Sequence, residues 1–365
     1  MNIAHVEPLA MRWPRGGRSA FIRITAEDGT FGLGEASPMY DGRASLSIIT
    51  DLAQHLVGAD PLDSGVIQDT LFHRAIKLGP DGVLAGALAA IDIALWDLKG
   101  KLLGKPIYKL LGGAWRTELP FYASIGGNGV RGVEEVVAEV EAWMNAIDPS
   151  MVKIRFDADK TTRDADIEGD IAKATAVREL VGDGFPLAFD SNNGYSVQGA
   201  IRVGRALEQL GYTWFEEPVQ SYHKANFEKV ASAIDVPVAA GEQEYTLAGV
   251  QALIDAGVGI IQADIVKTGG FTGLCHMAAL TRAAGVDFVP HQTQPVIGHI
   301  ANMHFVATLL HSHSPVEYSD RSGRQDEVFS NPPRPKGGRF ALTDAPGLGL
   351  QINEAAFDAC ILGQS

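Results

Sequence analysis

Six side chains that can bind a metal ion or move a proton recur along the chain at nearly even intervals, each close to the end of a short apolar segment. The intervals are 26, 26, 22, 27 and 26 residues, and the six are Asp190, Glu216, Glu242, Asp264, His291 and Glu317. A strand, a helix and their two loops take about that many residues, so the spacing predicts consecutive βα units. Because an α/β barrel gathers its reactive residues at the carboxyl ends of its strands, the series predicts a barrel together with its active site.

The first three members of the series, Asp190, Glu216 and Glu242, predict a metal site. Three carboxylates at one end of a barrel repel one another unless a cation lies between them. Oxygen ligands with open coordination positions suit Mg²⁺. Any one of these residues alone would be read as a solvated loop residue or a salt-bridge partner. Their common register on consecutive predicted strands favours three Mg²⁺ ligands.

His291 and Asp264 follow neighbouring predicted strands and are candidates for proton transfer. A carboxylate beside an imidazole fixes its tautomer and raises its basicity, as a general base near neutral pH requires. The alternative is a structural histidine bonded to a backbone carbonyl. Other histidines, among them His299 and His304, fall on the helix before the last predicted strand and are expected to be packing or surface residues.

Lys153 and Arg155 lie two residues apart on a predicted strand, so both side chains point to the same face. Near the carboxyl end of a barrel strand, that face is the interior of the active site. Two cations opposite three carboxylates and a metal ion could hold an anionic substrate. The alternative is a salt bridge at the rim of the barrel.

Composition limits the class of protein. The chain has 365 residues, of which 46% are hydrophobic and 20% charged, and a formal net charge of −14. This length accommodates a barrel of about 250 residues and a smaller domain. The negative charge argues against nucleic-acid binding. With two cysteines, Cys275 and Cys360, a disulfide scaffold is not expected. No apolar run is long enough for a membrane span, and no signal peptide is expected at Met1–Ala20, so we predict a cytoplasmic enzyme.

The hydrophobic pattern divides the chain into three parts. An α+β capping domain is predicted at 1–115, with a hairpin at 19–35 and helices at 45–57, 65–77 and 82–103. A (β/α) barrel, a modified TIM barrel, is predicted at 116–322. The segment 323–365, rich in Pro and Gly near its start, is expected to return and pack on the capping domain. The predicted barrel strands lie at 119–125, 151–156, 186–191, 212–217, 236–242, 260–265, 286–291 and 315–319.

One motif supports a competing interpretation. Residues 127–132 match Gly-x-Gly-x-x-Gly between a predicted strand and a predicted helix, and Asp157 follows the next strand, as in a dinucleotide site. That interpretation leaves the regular series unexplained. A nicotinamide-dependent oxidoreductase and a non-catalytic barrel are therefore the less favoured alternatives.

Several short motifs together make the chain resemble the enolase superfamily, and in particular its mandelate racemase-like subgroup. The N-terminal part contributes a resemblance to the family's capping-domain helix, at residues 90–100 followed by Leu-Leu-Gly-Gly at 110–113. The barrel motifs are Phe-Glu-Glu-Pro at 215–218, Gly-Glu at 241–242, Gln-Ala-Asp at 262–264 with Gly-Gly at 269–270, and Pro-His at 290–291. The resemblance covers nearly the whole chain.

The resemblance implies a role for each member of the series. Asp190, Glu216 and Glu242 would bind Mg²⁺, and His291 with Asp264 would form the acid/base dyad. Glu317 would hydrogen-bond the carboxylate or enolate oxygen of the substrate. The related muconate cycloisomerase-like subgroup carries a lysine at the position of Asp264, although Lys267 stands three residues on.

Arg155 departs from the subgroup, whose second barrel strand often carries Lys-x-Lys with the second lysine as a base. Arginine stays protonated and is a poor base. A one-base dehydratase is therefore favoured: His291 removes the proton α to a carboxylate of a sugar acid and then protonates the departing β-hydroxyl. The product would be a 2-keto-3-deoxy acid. An epimerase, a racemase (with Lys153 as the second base) and a lactone cycloisomerase are the alternatives.

The loops of the capping domain are expected to select the substrate; the alternative is that they are ordinary surface loops. The cationic, glycine-rich segment 12–18 supplies Arg15 and Arg18, and the segment 38–43 supplies Tyr40 and Arg43. Asn192, two residues after Asp190, is a further candidate for substrate binding. Proteins that look like this one are often dimers or octamers, so a homo-oligomer is expected.

Overall fold

An antiparallel sheet begins the chain. It contains β1 (Ile3–Arg12), β2 (Arg18–Ala26) and β3 (Phe31–Glu35) in sequential order. The computed structural model describes residues 1–37, 42–126, 131–155, 161–310, 315–319 and 323–363. The predicted hairpin is β2–β3, and its turn places Gly29 at φ 86° while the amide of Thr30 donates to Asp28 at 2.9 Å.

The prediction of two strands before the helices was wrong, because β1 is a third. Along β1 the burial does not alternate cleanly, its pairing with β2 is irregular between Ile3 and His5, and Pro8 interrupts the strand signal.

Four helices complete this part of the described chain: α1 (Arg43–Ala53), α2 (Ser64–Ala75), α3 (Val83–Leu102) and the short α4 (Ile107–Leu110). Helix α3 is buried along most of its length and crosses β3 at Gly32 and Gly34. A Cβ at Gly34 would lie 1.8 Å from the carbonyl oxygen of Ala90. Only glycine allows the backbones to approach this closely, so α3 packs directly against the sheet.

A parallel barrel sheet follows, as predicted. Its order is β10-β9-β8-β7-β6-β5-β4-β11. The strands are β4 (Glu118–Ile125), β5 (Met151–Arg155), β6 (Leu187–Asp190), β7 (Trp214–Glu216), β8 (Val238–Ala240), β9 (Ile260–Ile261), β10 (Asp287–Phe288) and β11 (Val316–Tyr318). The helices between them are α5 (Val133–Ile147), α6 (Ile167–Val181), α7 (Val197–Gln209), α8 (Lys224–Ala231), α9 (Leu247–Asp255), α10 (Gly270–Ala284) and α11 (Ile297–Val306). None of the helices in the described ranges is long and apolar enough to cross a membrane.

The C-terminal segment contacts both halves of the molecule. Its strand β12 (Arg339–Ala341) pairs antiparallel with the start of β4, and α12 (Glu354–Ala359) follows. Beyond α12, the carbonyl of Cys360 accepts from Arg12 at 2.8 Å, and Leu362 donates to Ala10 at 2.8 Å. The last described residues therefore lie alongside β1. The division at 115 and 322 stays a prediction.

The barrel interior has an apolar floor to which seven strand segments each contribute one side chain. Side chains of a strand alternate between its two faces, so the residue two positions after each of these also faces the barrel interior. The floor consists of Tyr122, Met151, Ala188, Trp214, Ala239, Ile260 and Val289. The layer above it is therefore Ser124, Lys153, Asp190, Glu216, Gly241, Gln262 and His291.

His304, near the end of α11, is a packing residue, as expected. Its ring stacks on Tyr108, with centroids 5.7 Å apart. The Tyr108 amide donates to Nδ1 at 3.3 Å, so Nε2 carries the proton and donates to the carbonyl of Leu348 at 3.3 Å. Burial lowers the pKa of His304 to about 4, so the buried ring stays neutral at pH 7.

We predict that His304 makes the fold less stable in acid. In the unfolded chain a histidine titrates near pH 6.5, so acidification from there to about pH 4 protonates the unfolded state first and reduces the free energy of unfolding, by roughly 3 kcal/mol in all. Urea unfolding at pH 7, 5.5 and 4.5 should show a shallower decline for His304→Gln than for the unchanged protein. Equal slopes would contradict the assignment. Buried carboxyls with raised pKa act in the opposite sense, so the comparison between variants isolates His304.

Candidate active site

Charged residues on three neighbouring strands lie side by side at the carboxyl end of the barrel sheet. In the parallel register Arg155 pairs with Asp190, and Asp190 pairs with Glu216. In-register neighbours present their side chains to the same face, so these residues meet at the carboxyl end of the barrel. The side chains predicted from the spacing therefore lie close together. The spacing did not predict which of them contact one another.

Lys153 is the central cation of the layer. Its Nζ lies 2.6 Å from Glu216 Oε1, 3.1 Å from Glu317 Oε1 and 3.9 Å from Asp190 Oδ2, and its side chain is 1% exposed. Burial alone would lower its pKa, but Glu216 and Glu317 raise the pKa well above the ordinary value. Lys153 is therefore positively charged in this arrangement.

Glu216 is held by three donors. Oε1 accepts from Lys153, while Oε2 accepts from Trp214 Nε1 at 3.0 Å and from Gln262 Nε2 at 2.7 Å. All four side chains are buried. Neither Trp214 nor Gln262 is among the site residues predicted from the sequence. Their positions two residues before Glu216 and Asp264, on the same strand faces, could have identified them.

Asp190 lies between a cation and an amide. Arg155 Nε is 3.2 Å from Oδ2, and Asn192 donates its backbone amide to Oδ1 at 2.9 Å and its side-chain amide to Oδ2 at 3.2 Å. Burial and Glu216 raise the pKa of Asp190 to about 7, although Lys153 and Arg155 act in the opposite direction. Asn192 thus contacts a predicted metal ligand.

The predicted dyad is assembled. His291 Nδ1 is 2.7 Å from Asp264 Oδ2, and Nε2 is 3.0 Å from Glu242 Oε2. The other oxygen of Asp264 accepts from the amide of Val266 at 2.9 Å, which fixes the carboxylate. Burial alone would lower the pKa of His291, but Glu242 and Glu317 raise it to about 10. Burial would raise the pKa of Glu242, but His291 holds it well below the ordinary value.

Glu317 faces the same interior from β11. Its Oε2 accepts from the amide of Gln292 at 2.9 Å, and its Oε1 contacts Lys153. Burial would raise its pKa, but Lys153 and His291 lower it to about 2. Glu317 is therefore a charged acceptor held beside the dyad.

Two further charged residues, Glu217 and Lys267, belong to the same cluster, and only Lys267 was considered from the sequence, as the lysine of the muconate cycloisomerase-like alternative. Glu217 is buried, with φ 43°, and its Oε2 accepts from Asn193 Nδ2 at 2.6 Å and Gln243 Nε2 at 3.0 Å. Burial and Glu242 raise its pKa well above the ordinary value. Lys267 Nζ donates to the carbonyl of Glu242 at 2.9 Å. The doubled glutamate of the Glu-Glu-Pro motif was the available signal for Glu217.

The charges and donor types of this cluster fit a divalent cation. Five buried carboxylates and the half-buried Glu242 face four cationic side chains. Burial, together with neighbouring carboxylates, raises the pKa of Asp190 and Glu217. Carboxylates offer oxygen ligands, which Mg²⁺ prefers. As the side chains stand, the described residues contain no group of three His, Cys, Asp or Glu arranged to hold a metal ion. The carboxylates instead contact Lys153, Arg155 and His291.

The predicted substrate loops are only partly described. Arg15 pairs with Glu327 at 3.7 Å and its side chain is 54% exposed, Arg18 begins β2, and Arg43 is exposed at the start of α1. Tyr40 lies outside the described residues. Gly127, Gly129 and Asp157, which supported the dinucleotide interpretation, also lie outside them.

Two known protein families match two successive parts of the chain. Residues 8–112 match the family described as "Mandelate racemase / muconate lactonizing enzyme, N-terminal domain". Residues 128–356 match the family described as "Enolase C-terminal domain-like". Together the matches cover most of the chain, and β4 (Glu118–Ile125) lies between them.

Individual relatives are similar over most of their length. The chain is 32% identical to a D-galactarolactone cycloisomerase from Agrobacterium fabrum, covering 96% of this chain and 93% of that one. It is 30% identical to an arabinonate dehydratase from Saccharolobus solfataricus, covering 80% and 76%. A crystal structure of a mandelate racemase/muconate lactonizing protein from Paracoccus denitrificans, complexed with magnesium, superposes with a TM-score of 0.97 at 57% identity, covering 99% and 98%.

Proposed function

Because the chain belongs to the enolase superfamily, in its mandelate racemase-like subgroup, we propose that it is a Mg²⁺-dependent dehydratase of a sugar acid. Sugar-acid dehydratases and a cycloisomerase are among its relatives, so the substrate is a small carboxylate or its lactone. The observation that carries the proposal is the buried His291–Asp264 pair beside the carboxylate cluster. Proton abstraction α to a carboxylate is the reaction for which this arrangement is suited.

Asp190, Glu216 and Glu242 would hold the Mg²⁺. The magnesium complex of the 57% identical protein supports this assignment, as does the charge of the carboxylate cluster. When bound, Mg²⁺ stabilises negative charge that develops at the carboxyl end of the substrate and offsets the carboxylates that raise the pKa of His291. Gln262 and Trp214 would keep Glu216 in place, because their donors occupy one of its oxygens.

His291 serves as the single base. Asp264 holds its Nδ1, so that Nε2 is the atom that exchanges a proton with the substrate. Nε2 takes the α-proton, the electron pair left on the α-carbon forms the double bond, and the β-hydroxyl departs with the same proton as water. The resulting enol becomes the 2-keto-3-deoxy acid. No oxidant is required, and His291 returns to its starting protonation state.

The cations on β5 favour one base over two. Lys153 stays protonated between Glu216 and Glu317, and Arg155 is a guanidinium beside Asp190. Neither can accept a proton from the opposite face of a substrate near neutral pH. Both can attract the substrate carboxylate, and the charge of Lys153 opposes the negative charge that proton abstraction adds.

Lactone cycloisomerisation is the second candidate, because the A. fabrum relative catalyses a reaction of that name and aligns over 96% of this chain. His291 would act as the base in this reaction too, and Lys153 and Arg155 would again attract the substrate carboxylate. The two reactions differ in their products: dehydration releases water and gives a keto acid, whereas isomerisation conserves the formula of the substrate. Substrate and product masses therefore distinguish them.

A screen of aldonic acids, aldaric acids and their lactones with Mg²⁺ tests the proposal. We expect one acid to yield a 2-keto product that semicarbazide traps, with the signal abolished by EDTA and restored by excess Mg²⁺. A product of unchanged mass from a lactone would establish cycloisomerisation instead. Deuterium uptake at the α-carbon without a new compound would indicate racemisation or epimerisation. Absence of turnover and of exchange across the library would contradict the proposed enzyme class.

A further inference from the structure

The barrel helices differ in how their first turns are capped. Helices α6, α7 and α9 are capped by their own N-cap side chains, which accept from the amide three residues on: Asp166 from Gly169, Ser196 from Gly199 and Thr246 from Gly249. The N-cap residues of α10 and α11 are Gly269 and Val296, neither of which supplies a side-chain acceptor. The amides at these two helix starts therefore need acceptors from elsewhere.

Asp92, on α3 of the N-terminal part, caps α10. Its Oδ2 accepts from the amide of Thr272 at 3.0 Å, and its Oδ1 accepts from the Thr272 hydroxyl at 2.5 Å. Asp92 is fully buried. A Cβ on Gly270, which has φ 71°, would lie 2.4 Å from Asp92 Oδ2. The Gly-Gly pair thus leaves room for a carboxylate that arrives from a distant part of the chain.

Glu35, at the end of β3, caps α11. Its Oε2 accepts from the amide of Gly298 at 3.3 Å, and its Oε1 accepts from the Ser19 hydroxyl at 3.3 Å. Ser19 in turn accepts from Trp13 Nε1 at 3.1 Å. Glu35 is fully buried, so its position is set by the sheet of the N-terminal part and by α11 together.

The two helices capped from outside the barrel are the ones that follow the dyad. Asp264 stands five residues before the N-cap of α10, and His291 stands five residues before the N-cap of α11. Within the first segment the carbonyl of Asp264 accepts from the amides of Lys267 and Thr268. A displacement of the start of α10 would therefore reach Asp264 through a short hydrogen-bonded segment, and a displacement of the start of α11 would reach His291 through the five residues between them.

We propose that Asp92 and Glu35 are positioning residues for the acid/base dyad: they cap α10 and α11 from the N-terminal part and so fix Asp264 and His291 relative to each other. The catalytic consequence rests on the proposed function, whereas the capping itself does not. Burial raises the pKa of both carboxyls to about 7, so each is neutral in part of the molecules near pH 7. Glu35→Gln and Asp92→Asn have the shape of these neutral forms. Such variants keep an acceptor oxygen for the helix amide.

Hydrogen exchange followed by mass spectrometry tests the capping without any substrate. In Glu35→Ala, amides of segment 291–300 should exchange about five- to thirtyfold faster, because a lost cap weakens the first turn by 1–2 kcal/mol. Asp92→Ala should do the same for segment 264–274. Glu35→Gln and Asp92→Asn should stay close to the unchanged protein. Ser196→Ala, which removes the self-cap of α7, should accelerate exchange near 197–200 but not in 291–300.

Once a substrate is known, the same variants test the role in catalysis. Glu35→Ala should lower kcat by roughly ten- to a hundredfold while the Kd for Mg²⁺, measured by calorimetry, changes less than about twofold. Unchanged exchange in both alanine variants would overturn the capping. Faster exchange with unchanged kcat would overturn the positioning role alone. If Glu35→Gln or Asp92→Asn lowered kcat as much as the alanine variant, the positioning role would also be contradicted. Failure to find a substrate would not affect the hydrogen-exchange result.

Discussion

Replacement of His291 by asparagine should lower kcat by roughly 10²- to 10⁴-fold, the range that a positioned general base contributes. Asparagine can still accept at one atom and donate at another, but it cannot take the α-proton. The contact of Nδ1 with Asp264 at 2.7 Å would be retained in part, so the fold should survive. The direct measurement is solvent deuterium uptake at the α-carbon of the substrate, followed by NMR in the presence of Mg²⁺.

His276→Asn provides the matched control, because His276 is exposed on α10. Its exchange rate and kcat should equal those of the unchanged protein. An undiminished rate of α-proton exchange in His291→Asn would exclude His291 as the base. A loss of exchange accompanied by loss of Mg²⁺ binding would instead show that the substitution had disturbed Glu242, which lies 3.0 Å from Nε2.

The second large effect is expected from Lys153→Met. This substitution leaves Glu216 and Glu317 buried without their ammonium partner, and removal of one member of a buried ion pair costs about 3–5 kcal/mol. The free energy of unfolding, measured by urea in EDTA, should fall by that amount. Activity should also be lost, because the charge that opposes the developing negative charge is gone. Lys153→Arg should retain more stability than Lys153→Met.

Lys173→Met is the control for burial of a lysine. Lys173 is also buried and pairs with Asp170 at 3.5 Å, but it lies on α6, outside the barrel interior. Its loss should leave kcat unchanged. A stability loss in Lys153→Met no larger than that of Lys173→Met would contradict the central electrostatic role of Lys153. Added Mg²⁺ should recover part of the stability of Lys153→Met, since a bound cation would again face the carboxylates.

Most of the architecture could be predicted because periodicity is a local property. Each βα unit carries its own hydrophobic pattern, and the parallel arrangement places every strand end at one mouth. Helix α3, predicted at 82–103, begins at Val83 and ends at Leu102. Strand β1 was missed because its alternation is weak and its order comes from pairing with β2. Resemblance to a known family added the role of Glu317 and the class of reaction.

The amino-acid sequence by itself determined which residues meet, since strand period and strand direction place Asp190, Glu216, Asp264 and His291 at one end of the barrel. Only the tertiary structure decided what each one contacts there. Lys153 faces Glu216 and Glu317 instead of the solvent, and Glu216 is held by Trp214 and Gln262. The caps at α10 and α11 come from residues 180 and 263 positions away in the chain. Contacts over such separations depend on how the two parts of the molecule pack, and no local pattern encodes that packing.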